Sequence, residues 1–277
     1  MSETTQQPSP SGLRALTALS TWGALWRSGS CAPDDVLDSL SDTALHHRVV
    51  AADHRAAETF SLGGAQAGAG GLLGVLRASD RLRLVLPAPG ATYGIKPSPV
   101  LDQALDAGEI MVIWPRDELD DNAFGLLARP AGLDTIVWTL HDLGAVPPIV
   151  VDSLAATEYS LREGIRDAAT LFASLGSIEV GGRDSGTDLR LRLAALTQRA
   201  GVELPPQSED RVVRVMTQAT QVAAIVDLVA ERAPTFGLTS ATQSSADHAA
   251  EQLRGLARVA RMTAVNTLLS IADDLQG

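Results

Sequence analysis

Residues 109–140 read EIMVIWPRDELDDNAFGLLARPAGLDTIVWTL, and this stretch decides the fold class. Three apolar runs, Glu109–Trp114, Phe124–Ala128 and Thr135–Leu140, are separated by a polar segment and a Pro/Gly segment, the signature of short strands and turns. The last run opens with Thr135, Ile136 and Val137, followed by Trp138 and Thr139, residue types that fit a pleated surface. Connections this short favour antiparallel neighbours, because a parallel crossover needs a dozen residues or more. Upstream, Leu82, Leu84 and Leu86 alternate with Arg81, Arg83 and Val85 until Pro87 ends the run. The expected fold is α+β, with a small, mostly antiparallel sheet of about four strands between residues 81 and 141.

Outward from the sheet the pattern turns helical. Leu16, Leu19, Trp22 and Trp26 recur at three- and four-residue steps, predicting an amphipathic helix over Leu13–Trp26. Asp34 can cap a second helix carrying Val36, Leu37 and Leu40. His46–Val50 reads equally as a short strand or a helix start. Gly63–Gly74, rich in Gly and Ala, runs into Leu76 as a helix with a small-residue face ending near Ser79, able to lie close to a sheet at about 1 kcal/mol per interior glycine. Val100–Ala107 reads as a short helix closed by Gly108. Beyond Pro147-Pro148 the chain is a three- to four-helix region. Asp152 or Ser153 caps a helix to Leu175, and Gly176–Gly186 is a glycine loop. Leu189–Arg199 is a shorter helix. Ser208 caps a long helix with Val212, Val215, Ala219, Val222, Ile225 and Val229 on one face. After a break at Pro234–Leu238, a last helix runs to Leu275 with Leu253, Leu256, Ala260, Thr267 and Ile271 inward. The expected organisation is a disordered lead-in (1–11), an α+β region with the sheet (12–148) and a helical region (149–277). The helical region is expected to pack on the first as one compact unit, since no long polar linker divides them.

The chain has 277 residues, 45% hydrophobic and 20% charged, ample for a packed core and unlike a disordered chain. Its net charge of −11, spread over both halves, argues against general nucleic-acid binding and against adsorption to anionic membranes. No apolar stretch reaches spanning length, and the N-terminus lacks the order of a signal peptide. One cysteine, Cys31, allows no internal disulfide. Cytoplasm is the expected compartment.

No motif singles out a reaction. Gly68–Gly74 fails the dinucleotide pattern because Leu73 stands where a glycine is needed, and no Gly-Lys-Ser/Thr follows. His47, His54 and Glu58 would share a face if 46–58 were helical, but solvated side chains at that spacing are far commoner than a metal site. The acidic turn Asp117–Asn122 lacks the calcium-loop order. Cys31 shows no histidine partner. No metal or cofactor is expected. The most unusual segment is the loop Pro87–Pro99, with four prolines, the chain's one lysine (Lys96) and one of its two tyrosines (Tyr93). Together with Arg116 these residues are the candidate contacts for a small anion. Arg254, Arg258 and Arg261 form a basic stripe on the last helix and are the candidate interaction surface, although exposed pairs with acids such as Glu251 explain such a stripe equally well.

These features predict a soluble, non-enzymatic interaction or adaptor protein. Its helix faces would meet a protein partner, a second copy included. The alternative is a small-anion binder or enzyme with a pocket at the 87–99 loop. A helical nucleic-acid regulator is a distant third. A pocket protein should bring Tyr93 and Lys96 together on a concave site, whereas in an adaptor they should splay into solvent.

Overall fold

The computed structural model describes residues 11–62, 67–116, 121–175, 186–232 and 240–275. The N-terminal lead-in, most of the acidic turn, the loop after Leu175 and the break before Ser240 lie outside the described residues. The fold is α+β. The strands are β1 (His46–Ala51), β2 (Ser79–Val85), β3 (Ile110–Pro115), β4 (Asn122–Pro130) and β5 (Thr135–Ala145). They form one sheet in the order β1-β5-β4-β3-β2. β2 to β5 pair antiparallel in sequence order, as the short connections dictate from β3 to β5, whereas β2 reaches β3 through residues 86–109.

β2 to β5 are the strands expected around 81–141, and β1 adds a fifth from outside that range. The ambiguous His46–Val50 run is a strand, pairing parallel with β5 from His46↔Thr135 to Ala51↔Leu140. Only long-range pairing resolves that ambiguity. His47, Val49 and Ala51 stand opposite Ile136, Trp138 and Leu140, so the small and apolar side of this short run is pressed into the core.

The inward face, with Phe124, Trp138 and Val49, carries the N-terminal helices: α1 (Ser11–Arg27), α2 (Pro33–Ser41), α3 (His54–Thr59) and α4 (Ala69–Ala78). α1 departs from the single-stripe expectation. Ala15 to Thr21 is buried on every side, while Trp22 and Trp26 are only half-buried. Two of its buried hydroxyls avoid a desolvation penalty by bonding back along the helix: Ser20 Oγ donates to the Leu16 carbonyl at 2.7 Å and Thr21 Oγ1 to that of Thr17 at 3.0 Å. On the outward face α5 (Pro99–Ala107) starts at the Ser98 cap and stops at Gly108, whose φ of 76° ends the helix in the left-handed conformation. Leu101 and Ala104 of α5 pack with Val85, Ile110, Val112 and Leu127.

The chain divides into two compact units. The first joins residues 1–150, 202–208 and 268–277; the second holds 151–201 and 209–267. The later helices are α6 (Leu154–Leu175), α7 (Gly186–Ala200), α8 (Asp210–Arg232) and α9 (Ser240–Asp274). Ser153 Oγ accepts the Ala156 amide at 3.2 Å and so caps α6. Ser208 does not cap α8: the helix begins two residues later, and Ser208 Oγ is buried without a hydrogen-bond partner among the described residues. Val212, Val215, Ala219 and Val222 face inward, but Ile225 is exposed and Val226 buried in its place. On α9, Leu253 and Ala260 are buried, Leu256 and Thr267 half-buried, and Ile271 is exposed with Ala272 inward.

Candidate interaction surfaces

Alternation along the outer strands assigns each side chain to a face. In β5, Ile136, Trp138 and Leu140 are buried against the N-terminal helices, and Thr135, Val137, Thr139 and His141 point the other way. The parallel register sets His46, Arg48 and Val50 of β1 beside Thr135, Val137 and Thr139. The antiparallel register sets Arg129 of β4 beside Val137. α5 covers this face over β2, β3 and β4, where Leu127 is 1% exposed and Gly125 is buried. Over β5 and β1, and at Arg129 near the end of β4, the side chains are half-buried or exposed. The result is an open half-sheet with β-branched residues at its centre and His46, Arg48, Arg129 and His141 around them. None of these positions carries a carboxylate. Arg48 has no hydrogen-bond or ion-pair partner among the described residues, and Arg129 donates to the Gln103 carbonyl of α5 at 3.0 Å.

The ionisable groups beside this face are engaged with one another. Asp53 caps α3, accepting the Ala56 amide at 2.8 Å, and its other oxygen accepts the Asp142 amide at 2.9 Å. Asp142 pairs with Arg55 at 3.0 Å and accepts the Gly144 amide. Arg55 lies 5.4 Å over the Phe124 ring. On the opposite side of the sheet, His47 uses both ring nitrogens. Nδ1 accepts from Trp138 Nε1 at 2.9 Å, which leaves Nε2–H to donate to the Leu40 carbonyl at 3.1 Å. Burial pushes the His47 pKa below its ordinary value. Burial does the same to His141, opposed by the charge of Asp53 and reinforced by that of Arg129.

A second surface lies in the helical unit. α6 and α9 frame an open groove of about 920 Å³ walled by Asp152, Glu163, Asp167 and Arg258. Gly164 sets its floor, because any side chain there would run into Leu256 of α9. Tyr159 stands at its rim, 65% exposed.

Comparison with known proteins places this architecture in a family. Residues 16–153 match the N-terminal domain of the Rv1486c-like protein family, and residues 155–263 match its C-terminal domain. The chain belongs to the Rv1486c-like family. It is 30% identical to the uncharacterized protein Rv1486c of Mycobacterium tuberculosis over 283 residues, covering 92% of this chain and 97% of the relative. It is also 30% identical to the uncharacterized protein ML1804 of Mycobacterium leprae over 294 residues, with the same coverage. No solved structure matches the chain.

In this Rv1486c-like chain the expected small-anion residues do not form one site. Tyr93 takes a φ of 53° and its ring rests against the α5 core cluster. Lys96 is exposed. Arg116 donates to the Ser79 carbonyl at the start of β2, whereas the 87–99 loop follows the end of that strand. Six residues of strand, about 20 Å, separate the two ends. The loop is fixed by Gly94, where a Cβ would lie 2.6 Å from Pro147 Cγ. The basic stripe on α9 is also divided. Arg254 pairs with Glu251 at 2.8 Å and Asp227 at 3.7 Å, Arg258 lines the groove, and Arg261 is half-buried. His47 is in a strand, so it does not share a helix face with His54 and Glu58, which pair with each other in solvent. Among the described residues no cluster of three His, Cys, Asp or Glu side chains is placed to hold a metal. Cys31 Sγ points to the Trp22 carbonyl, and burial raises its pKa. Sequence reading passed over His46, Arg48, Arg129 and His141. The signal was present in the alternation Thr-Ile-Val-Trp-Thr-Leu-His over 135–141, the pattern of a strand buried on one face only.

Proposed function

We propose that this chain is a non-enzymatic interaction protein of the adaptor kind, working in the cytoplasm with a different protein as its partner. The observation that carries the reading is the open half-sheet. A strand second from the sheet edge is normally covered on both faces or solvated by polar residues on one. Here Val50 and Val137 stay half-buried between two arginines, Arg48 and Arg129, in a chain whose net charge is −11. Apolar centres with charged rims are the anatomy of protein–protein contacts. The acid-walled groove between α6 and α9 supplies a second surface of different chemistry, as an adaptor requires. The histidine and carboxylates best placed for catalysis, His47, Asp53 and Asp142, are instead used to hold β1, β5 and α3 together. A single cysteine is in keeping with a reducing compartment.

The test is capture of the tagged chain from its own cell lysate, in parallel with a Val137→Glu variant of unchanged thermal stability. A stoichiometric protein recovered with the native chain and absent from the variant is the expected result. A native chain that brings down nothing, or a partner held equally by the variant, overturns the reading.

A further inference from the structure

We infer that the open half-sheet receives an acidic amphipathic helix from a partner protein, laid beside α5 to complete the outer layer. The inference rests on reading this face as a docking surface and names what docks there.

The dimensions select a helix. α5 lies over β3 and β4, and neighbouring strands are about 4.8 Å apart, so a helix over β5 and β1 would run about 10 Å from α5, the diameter of one helix with its side chains. α5 already solves the same packing problem on the adjoining strands, inserting Leu101 and Ala104 and leaving Asp102 and Asp106 on its other sides. The half-buried positions from Thr135 to His141 run about 20 Å, the length of a helix of about 13 residues.

The charges select acidic flanks. Arg48 and His46 lie on one side of the β5 row, and Arg129 on the other with His141 near its end. The carboxylates nearby are Asp134, before β5, and Asp53, whose two oxygens are already taken by backbone amides. A helix with an apolar stripe between two rows of glutamate matches this layout: apolar on Val50 and Val137, acidic toward each arginine.

Other occupants fit less well. An added strand is opposed at the free edge of β1, where the Val49 amide already bonds to the Ala67 carbonyl at 2.8 Å. A nucleic acid would find no Phe, Tyr or Trp ring on this face for stacking, and only two arginines for its phosphates. A second copy of the chain has an acidic helix in α2, but two of its three apolar residues, Val36 and Leu40, are fully buried in their own fold and only Leu37 is partly exposed, too little for an apolar stripe.

The test uses the full-length protein and two labelled 14-residue peptides of equal helicity, one a leucine stripe flanked by glutamates and the other the same stripe flanked by lysines. Fluorescence anisotropy should show saturable binding of the acidic peptide and at least tenfold weaker binding of the lysine peptide. Arg48→Glu with Arg129→Glu should reverse that preference, a gain of function that no folding defect can imitate. Backbone amide shifts should cluster on Arg48, Val137 and Thr139. Equal binding of both peptides, shifts confined to another surface, or tighter binding of a single-stranded oligonucleotide would each overturn the inference. Lack of peptide binding overturns it too. If Val137→Glu still releases the cellular partner in that case, the docking face stands and only its acidic-helix occupant is wrong. If that partner is retained as well, both fall.

Discussion

His47 shows how one side chain ties the sheet to its cover and makes stability depend on pH. Its neutral form, with the proton on Nε2, joins the Leu40 carbonyl at the end of α2 to the Trp138 indole in β5. Protonating Nδ1 would set two donors face to face. Burial lowers the native pKa, and the unfolded chain titrates near the ordinary histidine value of about 6.5. Where the native pKa is the lower one, the unfolded state binds more protons as pH falls. This contribution is therefore complete above about pH 6.5 and is lost as pH drops through the native value. His141, shifted the same way, adds to the slope. Denaturant midpoints between pH 8 and pH 5 should fall with acidification, and His47→Gln should flatten part of that fall; an unchanged slope would remove His47 as a contributor. Trp138→Phe should cost about 1 kcal/mol at neutral pH by deleting the hydrogen bond while keeping most of the packing. Asp273 carries more. Its two oxygens meet Arg27 at 2.7 Å and Arg83 at 2.6 Å, and the Arg27 side chain is 1% exposed. Asp273→Ala removes the carboxylate from a buried guanidinium that also donates to the Ser79 and Asp80 carbonyls, and should cost about 3 kcal/mol in equilibrium unfolding.

At the scale of elements, α4 separates two glycines that look alike in sequence. At Gly71 a Cβ would lie 2.6 Å from Ala67 Cβ, so the small residue lets the helix close on Ala67, the residue bridged to Val49 of β1. At Gly74 nothing lies within 4 Å. Gly74→Ala should stabilise by about 0.5–1 kcal/mol through helix propensity alone. Gly71→Ala gains the same propensity but must displace a rigid backbone neighbour, and overpacking of that kind costs about 1–3 kcal/mol, so it should destabilise. Opposite signs in thermal melts are the expected result, and two stabilising variants would remove the close-packing role of Gly71. The small-residue character of this helix was legible in the sequence; which glycine used it was not, because that depends on where Ala67 and Val49 arrive from. The same limit explains β1. Alternation in β2 and β5 and the short connections from β3 to β5 are local signals, and they led to the right antiparallel order. The strand at 46–51 is identified by its parallel partner nearly ninety residues away. The stripes on α8 and α9 hold for several turns and then drift by one residue, Val226 for Ile225 and Ala272 for Ile271, because neighbours with no local sequence signature decide the final turn.

For the whole molecule, the least legible feature is that the first unit is not contiguous. Proline pairs and composition shifts mark where a chain changes character, and they point to a break near Pro147, close to the division after Val150. They carry no information about a chain that comes back. Residues 202–208 return to α1, where Trp22 Nε1 donates to the Glu203 carbonyl at 3.1 Å, and residues 268–277 bring Asp273 to Arg27 and Arg83. This return makes a strong prediction. Ending the chain after Thr267 deletes Leu268, Leu269 and Ala272, which are 5%, 0% and 0% exposed, together with Asp273. Each buried leucine contributes about 2–3 kcal/mol and the lost ion pair about 3, a total comparable with the 5–15 kcal/mol that holds an ordinary domain folded. The first unit should therefore unfold, although the deleted residues are the last ten of the chain and its sheet ends far earlier. The readout is selective, because Trp22, Trp26, Trp114 and Trp138 all belong to that unit and the second unit has no tryptophan. Tryptophan emission of the truncated chain should move to the wavelength of the denatured protein. Native emission after truncation would show that the sheet and its N-terminal helices hold their core without the end of α9.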